Sequence, residues 1–265
     1  VTVQAQTAEP HPAVTGPTAQ DPAPEPLVKV RRQGKVAVVQ LNRPGKLNAL
    51  STALEQALLD ALQSPEVAGA SAIVFAGSER AFSAGADTSE LPEMTPQRIA
   101  AYYRGSGSLY EVVSRLPQPT VAAVSGYCLG AGFELALACD IRIADQTASF
   151  GLPEVGLGIL PSSGGLTRLV RAAGPAIARE IILFGERFPA AEAHRLGLVR
   201  EVAPAGDALT VALARAEFLA GQPAMAVAWT KAAIDAAAES SASASMLIEQ
   251  LAYAALNRPA GGNPE

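Results

Sequence analysis

The sequence predicts an α/β core followed by a helical region. Two short apolar runs, SAIVFAG (71–77) and TVAAV (120–124), read as buried strands in the first half. Stretches with helical spacing alternate with them, most clearly Leu54, Leu58, Ala61 and Leu62. From about residue 164 onward, helical patterns follow one another. Alternation that gives way to a run of helices describes a sheet-and-helix core with a helical C-terminal part.

Residues 1–26 differ from the rest. They hold Pro10, Pro12, Pro17, Pro22, Pro24 and Pro26 and no Lys or Arg. A segment of this composition cannot bury enough apolar surface to offset its ordering entropy, so a flexible tail is expected. Strands are expected over 27–31 and 36–41, joined by a turn through Gln33-Gly34. NRPGKLNAL (42–50) reads as a loop. Thr52 and Glu55 offer a capping box for the helix that follows. SERAFSAGADTSEL (78–91) reads as a loop of small residues, and 97–115 as a helix weakened by Gly105 and Gly107. GYCLGAG (126–132) reads as a turn, with a helix opening over 134–138. Short strands are expected at 141–144 and 148–150. Helices are expected at about 164–173, 176–184, 190–196, 206–220, 223–238 and 243–256. The resulting organisation is a tail over 1–26, a core with the active site over 27–200, a helical region over 201–256 and a tail over 257–265.

Composition excludes several classes. The chain has 265 residues, 49% of them hydrophobic, so a sizeable core can form. A net charge of -5 with no basic stripe argues against nucleic acid as a partner. No run of about eighteen apolar residues is present, so no membrane span is expected. Cys128 and Cys139 make neither a disulfide framework nor a CxxC zinc motif. Of the two histidines, His11 falls in the tail and His194 in a helix, so a His-based triad or metal site is hard to build. The N-terminus lacks the pattern of a signal peptide, and a cytoplasmic enzyme is the expectation.

SGYCLGAGFELALACD (125–140) carries the sharpest functional signal. Glu134 sits among apolar and small residues, where an ionised carboxylate is costly unless it is paired or protonated. Gly126, Gly130 and Gly132 allow close backbone approach between a buried strand and a helix start. The free N–H groups of that helix start stabilise negative charge, as a developing oxyanion requires. AFSAGAD (81–87) has the same character, and Ala84 or Ala86 could supply a second N–H. Glu154, in SFGLPEVGLGILP, is another acid in an apolar loop. Two such carboxylates beside an oxyanion hole make a general acid/base pair. The structural alternative is that Glu134 caps its helix and Glu154 pairs with Arg142 or Arg168.

Four motifs in order resemble the crotonase (enoyl-CoA hydratase/isomerase) superfamily. They are NRPGKLNALS (42–51), AFSAGAD (81–87), PTVAAVSGYCLGAGFELALACD (119–140) and FGLPEVGLGILPSSGGLTRLVR (150–171). The resemblance implies a crotonase-like spiral of ββα units with a C-terminal helical trimerisation region. It implies a homotrimer or hexamer acting on an acyl-CoA thioester, with no metal and no cofactor beyond the coenzyme A of the substrate. By resemblance, Ala84 and Ala131 are the oxyanion N–H donors. Glu134 activates water and Glu154 delivers the proton to C2. Lys46, Ala86, Asp87, Leu129 and Gly130 bind the substrate or its CoA portion. Having both glutamates favours hydration of a trans-2-enoyl-CoA. Another reaction on the same scaffold, such as 3,2-isomerisation or hydrolysis, and non-catalytic binding of acyl-CoA remain the rivals. Ser125 departs from the family's Asn at that position.

Overall fold

The computed structural model describes residues 25–93 and 95–257. Most of the expected N-terminal tail, and all of the C-terminal one beyond Asn257, lie outside these residues. β1 (Val28–Gln33) and β2 (Val36–Leu41) form an antiparallel hairpin that turns at Gly34, whose φ of 57° favours glycine. β1 is largely exposed. β2 is buried at all positions but Gln40.

α1 (Thr52–Leu62) begins one residue earlier than a Thr52 cap implies. Ser51 is the N-cap, and its hydroxyl accepts from the Leu54 amide at 3.2 Å. The third helical position is then Leu54, so the Thr52/Glu55 capping box does not form. Glu55 faces inward with Leu54 and Leu58 instead. A short α2 (Pro65–Ala68), capped by Ser64, leads into the core.

Three ββα units follow. β3 (Ala72–Ala76) and β4 (Ala81–Ser83) precede α3 (Pro96–Arg104) and α4 (Leu109–Ser114). β5 (Thr120–Val124) and β6 (Tyr127–Leu129) precede α5 (Ala131–Ala138). β7 (Ile141–Asp145) and β8 (Ser149–Gly151) precede α6 (Gly165–Phe184). The first strand of each unit joins one sheet and the second joins another. The larger sheet has the order β1-β2-β3-β5-β7-β10, and the smaller has β4-β6-β8-β9. From β2 onward the larger sheet is parallel. This alternation is the spiral that the resemblance implied.

Several expectations need correction. The loop over 78–91 contains β4, and the turn over 126–132 contains β6. The helix expected over 97–115 is broken into α3, a 3-10 turn and α4, at the two glycines that weakened it. The separate helices expected at 164–173 and 176–184 are borne out as the two arms of α6, which meet at a non-helical residue. Its kink lies at Gly174, with φ 81° and ψ 163°, just before Pro175.

The chain continues through β9 (Phe188–Pro189), α7 (Ala190–Arg195), β10 (Glu201–Ala203) and α8 (Ala208–Ala220). β10 pairs with β7, so the core does not end at residue 200. α8 also belongs to it. Ala212, Ala216 and Ala220 lie at four-residue spacing and pack on Val36, Val38, Val74, Val121 and Ile143 of the sheet. α9 (Ala224–Glu239) and α10 (Ala242–Leu256) pack mainly on each other. Trp229, Ile234, Leu247 and Leu251 stay exposed on them. Lys231 ties α9 to the core through Asp140 at 2.6 Å. Among the described residues no helix is long and apolar enough to cross a membrane.

Candidate active site

The site begins where β4 ends. Loop 42–50 braces this point through an unusual pair, Leu47 and Asn48, both left-handed with φ of 50° and 54°. The buried Asn48 side chain donates to the Ala81 carbonyl and accepts from the Arg43 amide. The Leu47 carbonyl accepts from the Ala84 N–H at 3.0 Å. Ala84 therefore has no N–H left for a ligand, which corrects its reading as an oxyanion donor. Two residues on, the pattern differs. Leu50 N–H donates to the Gly85 carbonyl and Asp87 N–H to the Leu50 carbonyl, each at 2.8 Å. Between them, the N–H of exposed Ala86 has no partner among the described residues.

A second unused N–H faces the same region. Gly130, with φ 49° and ψ −128°, turns β6 into α5. Ala131 is the first residue of that helix, so its N–H has no intrahelical acceptor. The approach here is close. A Cβ on Gly85 would lie 3.0 Å from the Leu129 carbonyl oxygen. A Cβ on Gly130 would lie 3.0 Å from Oε1 of Glu154. The Ala86 loop, the start of α5 and the Glu154 carboxyl thus converge.

Glu134 lies in the first turn of α5 and is 3% exposed. Its Oε1 accepts from the Ser163 and Gly165 amides at 2.8 and 2.9 Å. Those amides belong to the start of α6, so the carboxylate sits at a helix N-terminus. Burial raises its pKa, while the two amides and the Arg168 charge pull it back. Arg168 is anchored on the Ser163 and Tyr110 carbonyls. Capping and catalysis are therefore not exclusive for Glu134. One oxygen is clamped and the other is not.

Glu154 opens a 3-10 turn after β8 and is 8% exposed. It pairs with no arginine among the described residues: Arg142 instead binds the Ala136, Cys139 and Leu198 carbonyls. Its buried Oε2 has no partner among the described residues. Burial, helped by the Glu134 charge, raises its pKa to about 7. The two neighbouring carboxyls thus have different surroundings. Burial raises both pKa values, but only at Glu134 do amide donors and an arginine charge oppose the rise.

The other residues singled out from the sequence fall around this centre. Leu129 is half-buried at the end of β6, and Lys46 is exposed on a 3-10 turn of the 42–50 loop. Asp87 accepts from the Ser89 hydroxyl and amide and pairs with Arg43 at 2.6 Å, which holds its pKa down to about 2. Ser125 donates to Asp145 at 2.6 Å, behind the site. His194 lies on α7 and bonds the Val199 carbonyl. Sequence reasoning missed Gly165. A Cβ there would lie 2.4 Å from Cγ of Glu134. The Gly164-Gly165 pair ahead of a helix was the available signal. Among the described residues no group of three His, Cys, Asp or Glu side chains could hold a metal.

A ββα spiral that brings two buried carboxyls to two free N–H groups is a scaffold suited to acid–base chemistry. A family model described as enoyl-CoA hydratase/isomerase matches residues 31–258. The chain belongs to that family. A probable enoyl-CoA hydratase of Mycobacterium bovis is 42% identical over 84% of this chain and 86% of its own length. The 2,3-dehydroadipyl-CoA hydratase of Escherichia coli is 40% identical over 77% and 80%. Among solved structures, an enoyl-CoA hydratase from Thermoplasma volcanium has a TM-score of 0.82 and 30% identity, covering 88% of this chain and 92% of that one. Within the family the chain is an enzyme of the hydratase type.

Proposed function

We propose that this enzyme adds water across the double bond of a trans-2-enoyl-CoA to give a 3-hydroxyacyl-CoA, with Glu134 as base and Glu154 as acid. The observation that carries the assignment is the contrast between the two carboxyls. Burial raises the pKa of Glu134, and the two amide bonds and the Arg168 charge oppose that rise in favour of its ionised form. Glu154 is buried with an unpartnered oxygen and a pKa of about 7, which favours its protonated form.

In the reaction, Glu134 takes a proton from water as the oxygen attacks C3. The C2–C3 π electrons move toward the thioester carbonyl, whose oxygen gains negative charge. The N–H groups of Ala86 and Ala131 stabilise that oxygen, and the N-terminus of α5 adds its dipole. Glu154 gives its proton to C2. The substrate brings its own CoA, so no separate cofactor enters. Lys46 at the rim offers positive charge to the CoA phosphates, and Gly130 and Leu129 form the wall beside the thioester. Asp87 acts through Arg43 and Ser89 to hold the Ala86 loop.

The same reading includes an assembly of three or six copies, for which α9 and α10 with their exposed apolar side chains are the candidate contact. It includes a reducing, cytoplasmic setting, which suits the buried free thiols of Cys128 and Cys139. The test is hydration of crotonyl-CoA, followed as loss of the conjugated thioester absorbance, with the product identified by mass and chirality. Glu134→Gln and Glu154→Gln should each lower kcat by orders of magnitude. Normal turnover by both variants would sink the assignment.

A further inference from the structure

A cation at the start of a helix is out of place. The helix dipole already puts positive charge there, and burial adds a further cost. Arg168 stands in the first turn of α6, and its side chain is only 18% exposed. The guanidinium folds back over the helix start, where a Cβ on Gly164 would overlap its Nη1. Nη1 donates to the Ser163 carbonyl at 3.0 Å. Nη2 donates to the Tyr110 carbonyl at 3.3 Å and to the Ser114 hydroxyl at 3.2 Å. Among the described residues its ion-pair partner is Glu111, at 3.5 Å and 54% exposed, where solvent weakens the pair. Something other than Glu111 must account for a charge placed here.

Ser163 accounts for it. Its N–H donates to Oε1 of Glu134, and its carbonyl accepts from Arg168. Gly164, with φ 88°, and Gly165 come next, so this stretch has little stiffness of its own. Tyr102 reaches the same residue from α3. Its hydroxyl donates to Oε1 of Glu55 at 2.9 Å and lies within hydrogen-bonding reach of the Ser163 side chain. Glu55 is a firm anchor: it is 2% exposed, accepts from the Tyr110 hydroxyl and has the Ser106 hydroxyl as a further donor. Ser163 is thus held at its carbonyl and at its side chain, while its amide holds Glu134.

Resting on the hydratase reading, in which Glu134 is the base, we propose that Arg168 and Tyr102 are positioning residues: both fix Ser163, and Arg168 also supplies the charge that keeps Glu134 able to accept a proton. Each acts through Ser163 or across space on Glu134, not on the substrate. The titratable groups around Glu134 come from every side. Arg168 belongs to α6, Tyr110 to α4 and Glu154 to the 3-10 turn after β8. β6 brings the Cys128 thiol and the end of α5 the Cys139 thiol, both kept protonated by burial, and β4 brings only Ser83. Arg168 is the cation of this set, so its removal leaves burial and the Glu154 carboxyl to act on the base with the two amides alone opposing them.

The test takes two readings on the full chain. One is the titration of the Glu134 carboxyl by carbon-13 NMR, its signal identified by its loss in Glu134→Gln; this needs no turnover. The other is kcat and KM for crotonyl-CoA across pH. Arg168→Met should raise the Glu134 midpoint by about one pH unit and move the acid limb of the kcat profile with it. It should lower kcat about tenfold near neutral pH and leave KM little changed. Arg168→Lys keeps the charge without the fork, so the midpoint should return while kcat recovers only in part. If Arg168→Met does not fold, Arg168→Gln, which keeps a neutral donor for the Ser163 carbonyl, should give the same shift. Tyr102→Phe and Ser163→Ala should lower kcat alike, and the double variant should be no worse than either. A folded Arg168→Met with the midpoint and acid limb unmoved overturns the proposal, even if its melting temperature falls. So do additive losses in the Tyr102 and Ser163 pair. Turnover of crotonyl-CoA with an unmoved midpoint removes this inference and leaves the hydratase reading. A shifted midpoint in a chain that turns over no 2-enoyl ester does the reverse.

Discussion

Replacing Gly165 with alanine tests the clamp on Glu134 without altering either carboxyl. The new Cβ would lie 2.4 Å from Cγ, 2.7 Å from Oε1 and 2.9 Å from Cδ of Glu134. Carbon atoms rest at about 3.5 Å or more, so the carboxylate must move by roughly 1 Å. A displacement of that size at a reacting group costs on the order of 10²-fold in rate. That corresponds to about 2.7 kcal/mol of lost transition-state stabilisation. The backbone is not the obstacle. Gly165 opens α6 outside the left-handed region, and alanine gains roughly 1 kcal/mol over glycine in a helix. Overpacking opposes this by about 1–3 kcal/mol, so the net change in stability is small. The expected outcome is a folded protein with kcat for crotonyl-CoA down about 100-fold and KM little changed. A thermal melt and a substrate-saturation series on the same sample measure both. A wild-type kcat with an intact fold would refute the clamp, and so would a loss confined to KM.

Three further perturbations test the rest of the site. Glu154 must carry a proton to act as the acid, so kcat should fall as pH rises through about 7, and a pH–rate profile reads this directly. Its raised pKa also makes it a stabilising group below the unfolded value of 4.5, and that contribution is lost as pH rises through about 7. Glu154→Gln should therefore be more stable than wild type above pH 7, by up to about 3 kcal/mol, with the gap closing toward acid pH in denaturant titrations. Ala131→Pro removes one N–H at the first helical position, where proline is tolerated; kcat should drop by about 10²–10³ with the melting temperature nearly unchanged. Lys46→Ala should raise KM for the CoA ester, leave kcat alone and weaken the salt dependence of KM, as kinetics at two ionic strengths would show.

The helices of the second half were legible because each carries ten or more residues of apolar spacing or a Gly/Pro break. Gly174-Pro175 was readable as punctuation within α6. β4 and β6 were not legible. Three-residue strands such as Ala81–Ser83 carry no periodicity, and their pairing depends on partners about 45 residues away. The two glutamates stood out as charges in apolar runs, and both proved buried. Which N–H of the 84–86 loop is free was beyond the sequence, because the Leu47 carbonyl decides it from a different loop. Glu55 was misread for a similar reason. Its distance from Thr52 fits a capping box, but its true partners, Tyr102 and Tyr110, come from α3 and α4.

The strand order of the two sheets bears on how the chain is made. In both sheets every strand lies next to the one that precedes it there in the chain, from β1 to β10 and from β4 to β9. No strand has to be inserted between two that are already paired. A chain emerging from the ribosome can add each strand to an open edge and never needs to reopen a finished one. The groups of the site arrive in a fixed sequence along the way: the Ala86 N–H, then the Ala131 N–H and Glu134, then Glu154. Gly165 comes last and supplies an amide that holds Glu134. A nascent chain interrupted before Ser163 lacks both amides that clamp Glu134. The clamp on Glu134 is thus made after both carboxyls, and the edge strands β9 and β10 reach their sheets only after it.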